Sequence, residues 1–236
     1  MLREIKGQVA LVTGASRGIG RATALRLAHA GVSVSLVAKT PSDLEALAEE
    51  IRGLGVRAEA IPCDLIDQNQ LGTLAAEHRK RLGRLDLLVN NAGAAEFKNV
   101  ADSTRGDLDW VLNLNLRALV VLTQDCLPML LESQGRTIIN ISSMAGIFPS
   151  PSLAIYSAAK SGVISWSRAL FEELRRQQVK VSCICPGRVD NLNHWDKHGL
   201  RSEDVAEAII YAYRSSERAC PTVLYLQEQL DPGWTE

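Results

Sequence analysis

The sequence predicts an α/β fold: a doubly wound parallel sheet with helices on both faces. Three observations carry that expectation. Short runs of strand length alternate with longer segments of helical period, the pattern of successive strand–helix–strand units. The short runs are mostly apolar without alternation, as strands buried on both faces are. Glycine or a capping residue stands at many of the junctions, where the chain changes period. The 236 residues suit one domain over 1–236, large enough to bury a sizeable core. No internal repeat, low-complexity run or linker divides it.

The first strand is Val9 to Val12, ending at a glycine turn. A helix follows from about Gly18 to Ala30 and stops at Gly31. Val32 to Val37 is the second strand. Thr40 then reads as an N-cap with Pro41 at the first helical position. Leu44, Leu47, Ile51 and Leu54 recur at helical spacing until Gly53 and Gly55 end the pattern. Arg57 to Pro62 is a third strand and Leu71 to Leu82 an amphipathic helix. Leu85 to Val89 and Thr137 to Ile141 are the fourth and fifth strands. Long helices are expected over Leu108 to Leu131, with Pro128 near its last turn, and over Ile155 to Gln177. Val179 to Ile184 is a sixth strand, Ser202 caps a helix from about Glu203 to Tyr213, and Val223 to Leu226 closes the sheet.

Composition narrows the function classes. Lys and Arg total 26 against 27 Asp and Glu, which gives no bulk attraction to nucleic acid or membrane. The run Val9 to Val12 is too short for a signal segment, and no stretch approaches the ~20 apolar residues that cross a bilayer. Cys63, Cys126, Cys183, Cys185 and Cys220 have apolar neighbours and are odd in number. They read as reduced, mostly buried thiols of a cytoplasmic protein. Cys183 and Cys185 face the same way on a strand, and His194 and His198 have helical spacing, but neither pair has a third ligand in view. No metal is expected.

The chemistry begins at Thr13-Gly14-Ala15-Ser16-Arg17-Gly18-Ile19-Gly20. Three glycines between a strand and a helix let the backbone turn sharply and a pyrophosphate approach the helix amino terminus. A purely structural turn has the same composition, and the spacing is not GxGxxG. Tyr156 and Lys160 are four apart, so a helix sets them on one face. A phenol near pKa ~10 is a poor acid–base group at neutral pH, and a nearby ammonium is expected to lower it by roughly 1–3 units. A surface Tyr–Lys pair has the same spacing.

These motifs together resemble the short-chain dehydrogenase/reductase family. Its TGxxxGxG turn is matched at Thr13, Gly14, Gly18 and Gly20. The resemblance continues in order through Cys63-Asp64-Leu65, Asn90-Asn91-Ala92-Gly93, Asn115, Ser142-Ser143, Tyr156-Ser157-Ala158-Ala159-Lys160 and Pro186-Gly187, over residues 7 to about 190. It implies a Rossmann-type oxidoreductase that reduces a carbonyl or oxidises the matching alcohol, most similar to 3-oxoacyl-carrier-protein reductases. By that resemblance Tyr156 is the proton donor, and Lys160 tunes it and holds the ribose. Ser143, thirteen residues before Tyr156, orients the carbonyl, and the Asn115 carbonyl holds a relay water. A serine past a strand is otherwise a turn cap, and an Asn between leucines otherwise bends a helix.

The resemblance also places the cofactor. Gly14, Ser16, Arg17, Gly18, Ile19 and Gly20 surround the pyrophosphate. Asp64 and Leu65 meet the adenine, and Asn91, Ala92 and Gly93 wall the adenosine side. Tyr156, Lys160, Pro186, Gly187 and Val189 are implied to bind the cofactor as well. Val37 is followed by Ala38 and Lys39 where NAD-specific members carry an acid. Arg17 and Lys39 therefore point to NADP(H), through its 2′-phosphate; two solvated cations are the plainer account. The chain departs from the family at Asn191, where a threonine is usual. The stretch near 190–202 is short for a substrate lid, and Leu230 to Trp234 lacks paired glycines. The expected partners are a small carbonyl or alcohol substrate and a second copy, as a homodimer or homotetramer. Alternative substrates are sugars, steroids or xenobiotic carbonyls. A non-catalytic NADP(H)-sensing or scaffold protein is the alternative from another class.

Overall fold

The computed structural model of the chain describes residues 2–190 and 199–229. Asn191, His194, His198 and the Leu230–Trp234 ending lie outside them. The strands are β1 (Val9–Thr13), β2 (Ser33–Ala38), β3 (Ala58–Pro62), β4 (Leu87–Asn90), β5 (Thr137–Ile141), β6 (Lys180–Pro186), β7 (Val189–Asp190), β8 (Leu200–Arg201) and β9 (Val223–Leu226). The helices are α1 (Gly18–His29), α2 (Pro41–Arg52), α3 (Gln68–Leu82), α4 (Arg105–Leu112), α5 (Ala118–Glu132), α6 (Ala154–Leu174) and α7 (Ser202–Arg214). Seven strands form one sheet in the order β3-β2-β1-β4-β5-β6-β9, and every pairing in it is parallel. The two-residue strands β7 and β8 pair separately.

Parallel pairing requires a crossover after each strand, so helices cover both faces and the strands are apolar throughout. One face carries a core of Leu27, Leu44, Leu47, Val205 and Ile209 against the strands. The other packs Leu71, Leu74, Leu122, Cys126 and Leu130. The strand order reverses between β1 and β4, and at that point the crevice beyond the carboxyl ends opens. An open cleft of ≈ 680 Å³ between Lys6, Gly31 and Leu54–Arg57 lies at the opposite end of the strands.

Local chemistry sets the helix ends. Asp67 caps α3 by accepting from the N–H groups of Asn69 and Gln70, and Gly83 at φ +79° ends it in the left-handed region. Thr40 precedes α2 with Pro41 at its start, as expected, but its hydroxyl makes no cap bond. Ser202 is not the cap of α7. It is the first helical residue, Arg201 is the N-cap, and Asp204 reaches back to accept from Arg201 N–H at 2.8 Å. The expected helix over Leu108 to Leu131 divides into α4 and α5 around a π-helical turn, Asn113–Arg117. By length and composition the run Arg105–Glu132 is long and apolar enough to cross a membrane. Here Leu119, Leu122, Cys126, Met129 and Leu130 are buried in the core.

A polar chain crosses the interior between the sheet and its helices. Asn90 Nδ2 donates to Thr123 Oγ1 and Asn140 Oδ1, and Asn140 Nδ2 donates to Ser167 Oγ. It fixes α5 and α6 on adjacent strands. All five cysteines are free. Cys183 and Cys185 do face the same way, with their sulfurs 3.9 Å apart. Among the described residues no group of three metal-ligating side chains forms.

His78 is wholly buried. Its Nδ1 meets Ser35 Oγ at 2.8 Å and its Nε2 meets the Arg84 carbonyl at 3.0 Å. A carbonyl only accepts, so Nε2 carries the proton and Nδ1 accepts from the serine; the neutral ring satisfies both. Burial pushes its pKa down to about 4. The unfolded chain titrates near ~6.5, so between these values only the unfolded state takes up the proton. Stability from this group is therefore complete above ~6.5 and is lost as pH falls toward 4. The loss reaches about 3 kcal/mol. Urea midpoints measured at pH 7, 6, 5 and 4 should fall more steeply for the wild type than for His78→Gln. Equal slopes would refute the assignment.

Candidate functional site

The glycine turn leaves β1 at the switch point and is held from both neighbours. Thr13 Oγ1 donates to the Val89 carbonyl and accepts from the N–H groups of Asn91 and Ala92, both at 3.0 Å. Asn91 Nδ2 donates back to the carbonyls of Thr13 at 2.9 Å and Gly14 at 3.3 Å. Ala15 N–H donates to the Val37 carbonyl on the other side. Gly14 (φ +64°) and Gly18 (φ +56°) are left-handed, a conformation that glycine adopts without cost. An added Cβ at Gly20 would strike the Gly14 carbonyl. Arg17 precedes α1 in extended backbone, no side chain caps that helix, and its first turn holds no acid. Its free N–H groups and the bare glycine backbone make a cradle suited to a pyrophosphate. The residues present thus fit a dinucleotide. Ser16 and exposed Arg17 lie on this turn. Ile19 packs partly against the core.

At the next strands outward, Lys39 Nζ pairs with Asp64 Oδ2 at 2.9 Å. Ala38 carries no acid, but the place is not free of one: the end of β3 supplies the carboxylate. Cys63 N–H donates to the Ala38 carbonyl and brings the two strand ends together. Leu65 is buried in the core.

The carboxyl ends of β4, β5 and the start of α6 bring the remaining candidates together. Asn115 sits in the π-helical turn and is buried. Its Nδ2 donates to the Val111 and Ala94 carbonyls, each at 2.9 Å, and its Oδ1 accepts from Ala94 N–H at 3.2 Å. Taking the Val111 carbonyl with a side chain displaces the ordinary helical bond, which accounts for the wider turn. The helix-bending reading of this asparagine is the one these bonds describe. Gly93 has no room for a side chain: a Cβ would lie 2.6 Å from Asn115 Oδ1 and 3.2 Å from Lys160 Nζ.

The two serines separate. Ser142 is buried and donates to the Lys160 carbonyl at 2.8 Å. Ser143 accepts from Ala145 N–H and caps a short 3₁₀ turn, Met144–Gly146, while its side chain acts to lower the Tyr156 pKa. Gly146 was not legible as a site residue, yet a Cβ there would lie 2.8 Å from the Lys160 carbonyl carbon. The Ser143 turn rests directly on the α6 backbone, and Ser161 Oγ locks it by donating to the Gly146 carbonyl.

Electrostatics differ from the expectation for Tyr156. Burial raises its pKa, and the Ser143 hydrogen bond opposes the rise. Lys160 does not supply the lowering. Its ammonium lies over the ring, 5.6 Å from the centroid, and donates to the Ile141 carbonyl at 2.9 Å. Burial pushes Lys160 down to about 8, with Cys183 and Cys185 opposing. The cation is thus directed at the main chain instead of the phenol oxygen. Pro186, Gly187 and Val189 follow at the end of β6, where Gly187 N–H donates to the Leu226 carbonyl.

A family model described as short chain dehydrogenase matches residues 8–198. The chain is 31% identical over 186 residues to the 3-oxoacyl-[acyl-carrier-protein] reductase FabG of Thermotoga maritima, covering 79% of this chain and 76% of that protein. It is similar to a metagenomic short-chain oxidoreductase crystallised with NADP, with TM-score 0.87, 32% identity, and coverage of 97% and 100%. A short chain dehydrogenase from Burkholderia cenocepacia, also crystallised with NADP, gives TM-score 0.88, 29% identity, and coverage of 95% and 98%.

Proposed function

This chain belongs to the short-chain dehydrogenase family, and on that premise we propose that it is an NADPH-dependent carbonyl reductase, or the corresponding alcohol dehydrogenase, with Tyr156 as proton donor. The observation that carries this reading is the grouping of Tyr156, Ser143, Lys160 and Asn115 beside the glycine turn. We read 1–236 as one domain in the cytoplasm, with a short substrate lid near 190–202.

Gly14, Gly18 and Gly20, with the free N–H groups of α1, would hold the pyrophosphate. Arg17 and Lys39 would hold the 2′-phosphate. When bound there, NADPH would supply the hydride that the carbonyl carbon receives. The chain's residues manage the proton and the oxygen. Burial keeps the Tyr156 phenol protonated at neutral pH, which suits a donor in the reductive direction. Ser143 orients the same hydroxyl and can donate to the oxygen that gains charge. Lys160 lies behind the tyrosine ring, and Asn115 with Gly93 fixes the wall beside it.

Cofactor choice is decided at Lys39. Its bond to Asp64 joins side chains 58% and 35% exposed, an arrangement worth little in water. A 2′-phosphate brings nearly two negative charges and displaces it readily. Titration calorimetry should show tighter binding of NADPH than of NADH, and Lys39→Asp should lose most of that difference. Equal wild-type affinities would sink the NADP(H) assignment.

We also propose a homodimer or homotetramer formed through the long helices. Leu119 of α5 and Val163 of α6 are buried in the chain's own core. Leu108 and Trp110 of α4 are left exposed, and Trp166 is only partly covered. Light scattering at micromolar concentration should give at least twice the chain mass of 25.7 kDa; a monomer mass rejects the proposal.

Tyr156→Phe keeps the ring and removes the donor. With a carbonyl substrate found by screening, turnover should fall by about 10²–10⁴ while NADPH affinity stays near wild type. Lys160→Ala should lower both. Undiminished turnover in Tyr156→Phe overturns the mechanism, and a screen in which no carbonyl oxidises NADPH turns the reading toward a non-catalytic NADP(H) sensor.

A further inference from the structure

The turn that leaves β6 is held from the end of its neighbour β9. Two residues beyond Leu226, Glu228 directs its carboxylate at the same turn. Oε2 accepts from Arg188 N–H at 3.3 Å and Oε1 accepts from Arg188 Nε at 3.1 Å. The Arg188 carbonyl accepts from Leu200 N–H at 2.9 Å, where β7 meets β8 through Val189–Leu200 and Asp190–Arg201. Arg188 is therefore fixed by its N–H, its carbonyl and its guanidinium. An added Cβ at Gly187 would collide with Glu228 Oε2, so the carboxylate fills the space a side chain would take.

An exposed Arg–Glu pair contributes little. This one differs in two respects. The Glu228 side chain is only 17% exposed, against 46% for Arg188. It also accepts a main-chain N–H, a charge-assisted bond that acts on the backbone of the turn itself. The carboxylate thus joins the end of β9 to the β6 turn, and the Arg188 carbonyl in turn holds Leu200 of β8.

We propose that Glu228 is a positioning residue: it braces the Gly187–Arg188 turn and so sets the wall of the cofactor site formed by Pro186, Gly187 and Val189. The inference rests on the proposed function and on the place beside the cofactor that the family resemblance implies for those three residues. Glu228 acts only through the turn.

The test compares the full chain with Glu228→Ala and Glu228→Gln, by hydrogen exchange over 186–201 without cofactor and by NADPH fluorescence titration. Glu228→Ala should speed exchange at the Arg188 and Leu200 amides and weaken NADPH binding, each by about tenfold, with the thermal midpoint nearly unchanged. Its KM for NADPH should rise more than its kcat falls. Glu228→Gln keeps an acceptor and should recover most of the loss; if Glu228→Ala does not fold, a two- to threefold effect of Glu228→Gln on both readouts is the expected result. Wild-type exchange and affinity in the variants overturn the brace. Faster exchange with unchanged affinity makes Glu228 merely structural and overturns its assigned role. In the wild type, added NADPH should slow exchange of 187–189. If it does not, the cofactor placing of this turn fails, whereas exchange in Glu228→Ala still reports whether the brace exists.

Discussion

The clasp between Thr13 and Asn91 is the interaction on which the site depends. One hydroxyl donates to β4 and accepts two N–H groups from the chain just beyond it, and one amide returns to the carbonyls of Thr13 and Gly14. These bonds fasten the carboxyl ends of β1 and β4 where their connections part in opposite directions. The parting opens the crevice, and the clasp sets its floor. The close approach is possible because Gly14 and Gly20 have no side chains: a Cβ at either would meet Asn91 Nδ2. Asn91 therefore spends its amide on the turn, and whatever wall it offers a cofactor comes from its position.

A second set of contacts carries the clasp across to Asn115 and Lys160. Gly93 follows Asn91 and runs against Asn115 and Lys160 with no space to spare. Asn115 holds both polar groups of Ala94 and breaks the helical pattern of α4 and α5 to do so. A π-helical turn is an unfavourable local choice. It persists because the side-chain amide is fully satisfied in a buried place where an unpaired amide is costly. Ser142, Gly146 and Ser161 do the corresponding work between β5 and α6.

Burial gives Tyr156 and Lys160 opposite tendencies. It keeps the phenol protonated and makes the ammonium easier to discharge, since in each case the neutral form is favoured. The Lys160 ammonium donates to the Ile141 carbonyl, and Ser143 draws the Tyr156 phenol the other way.

The amino-acid order by itself determined the alternation of elements, the parallel class of the sheet and the residue types that gather at its carboxyl end. Apolar runs, glycines and caps act locally, so β5 and β9 fall on the expected residues and most other strands within one or two. Only the tertiary structure decided what local signals do not contain. The sequence shows no acid after Val37, yet Asp64, two residues past the end of β3, stands beside Lys39. It shows an unbroken helical period from Leu108, yet Asn115 opens a π turn because its partner Ala94 comes from a separate loop. It places Lys160 one helical turn from Tyr156, but the direction of the ammonium depends on the Ile141 carbonyl, nineteen residues away in the chain. Glu228 has no motif at all, and its contact with Arg188 exists because β9 pairs beside β6. In each case the deciding partner is distant in sequence and adjacent in space, and only packing brings the two together.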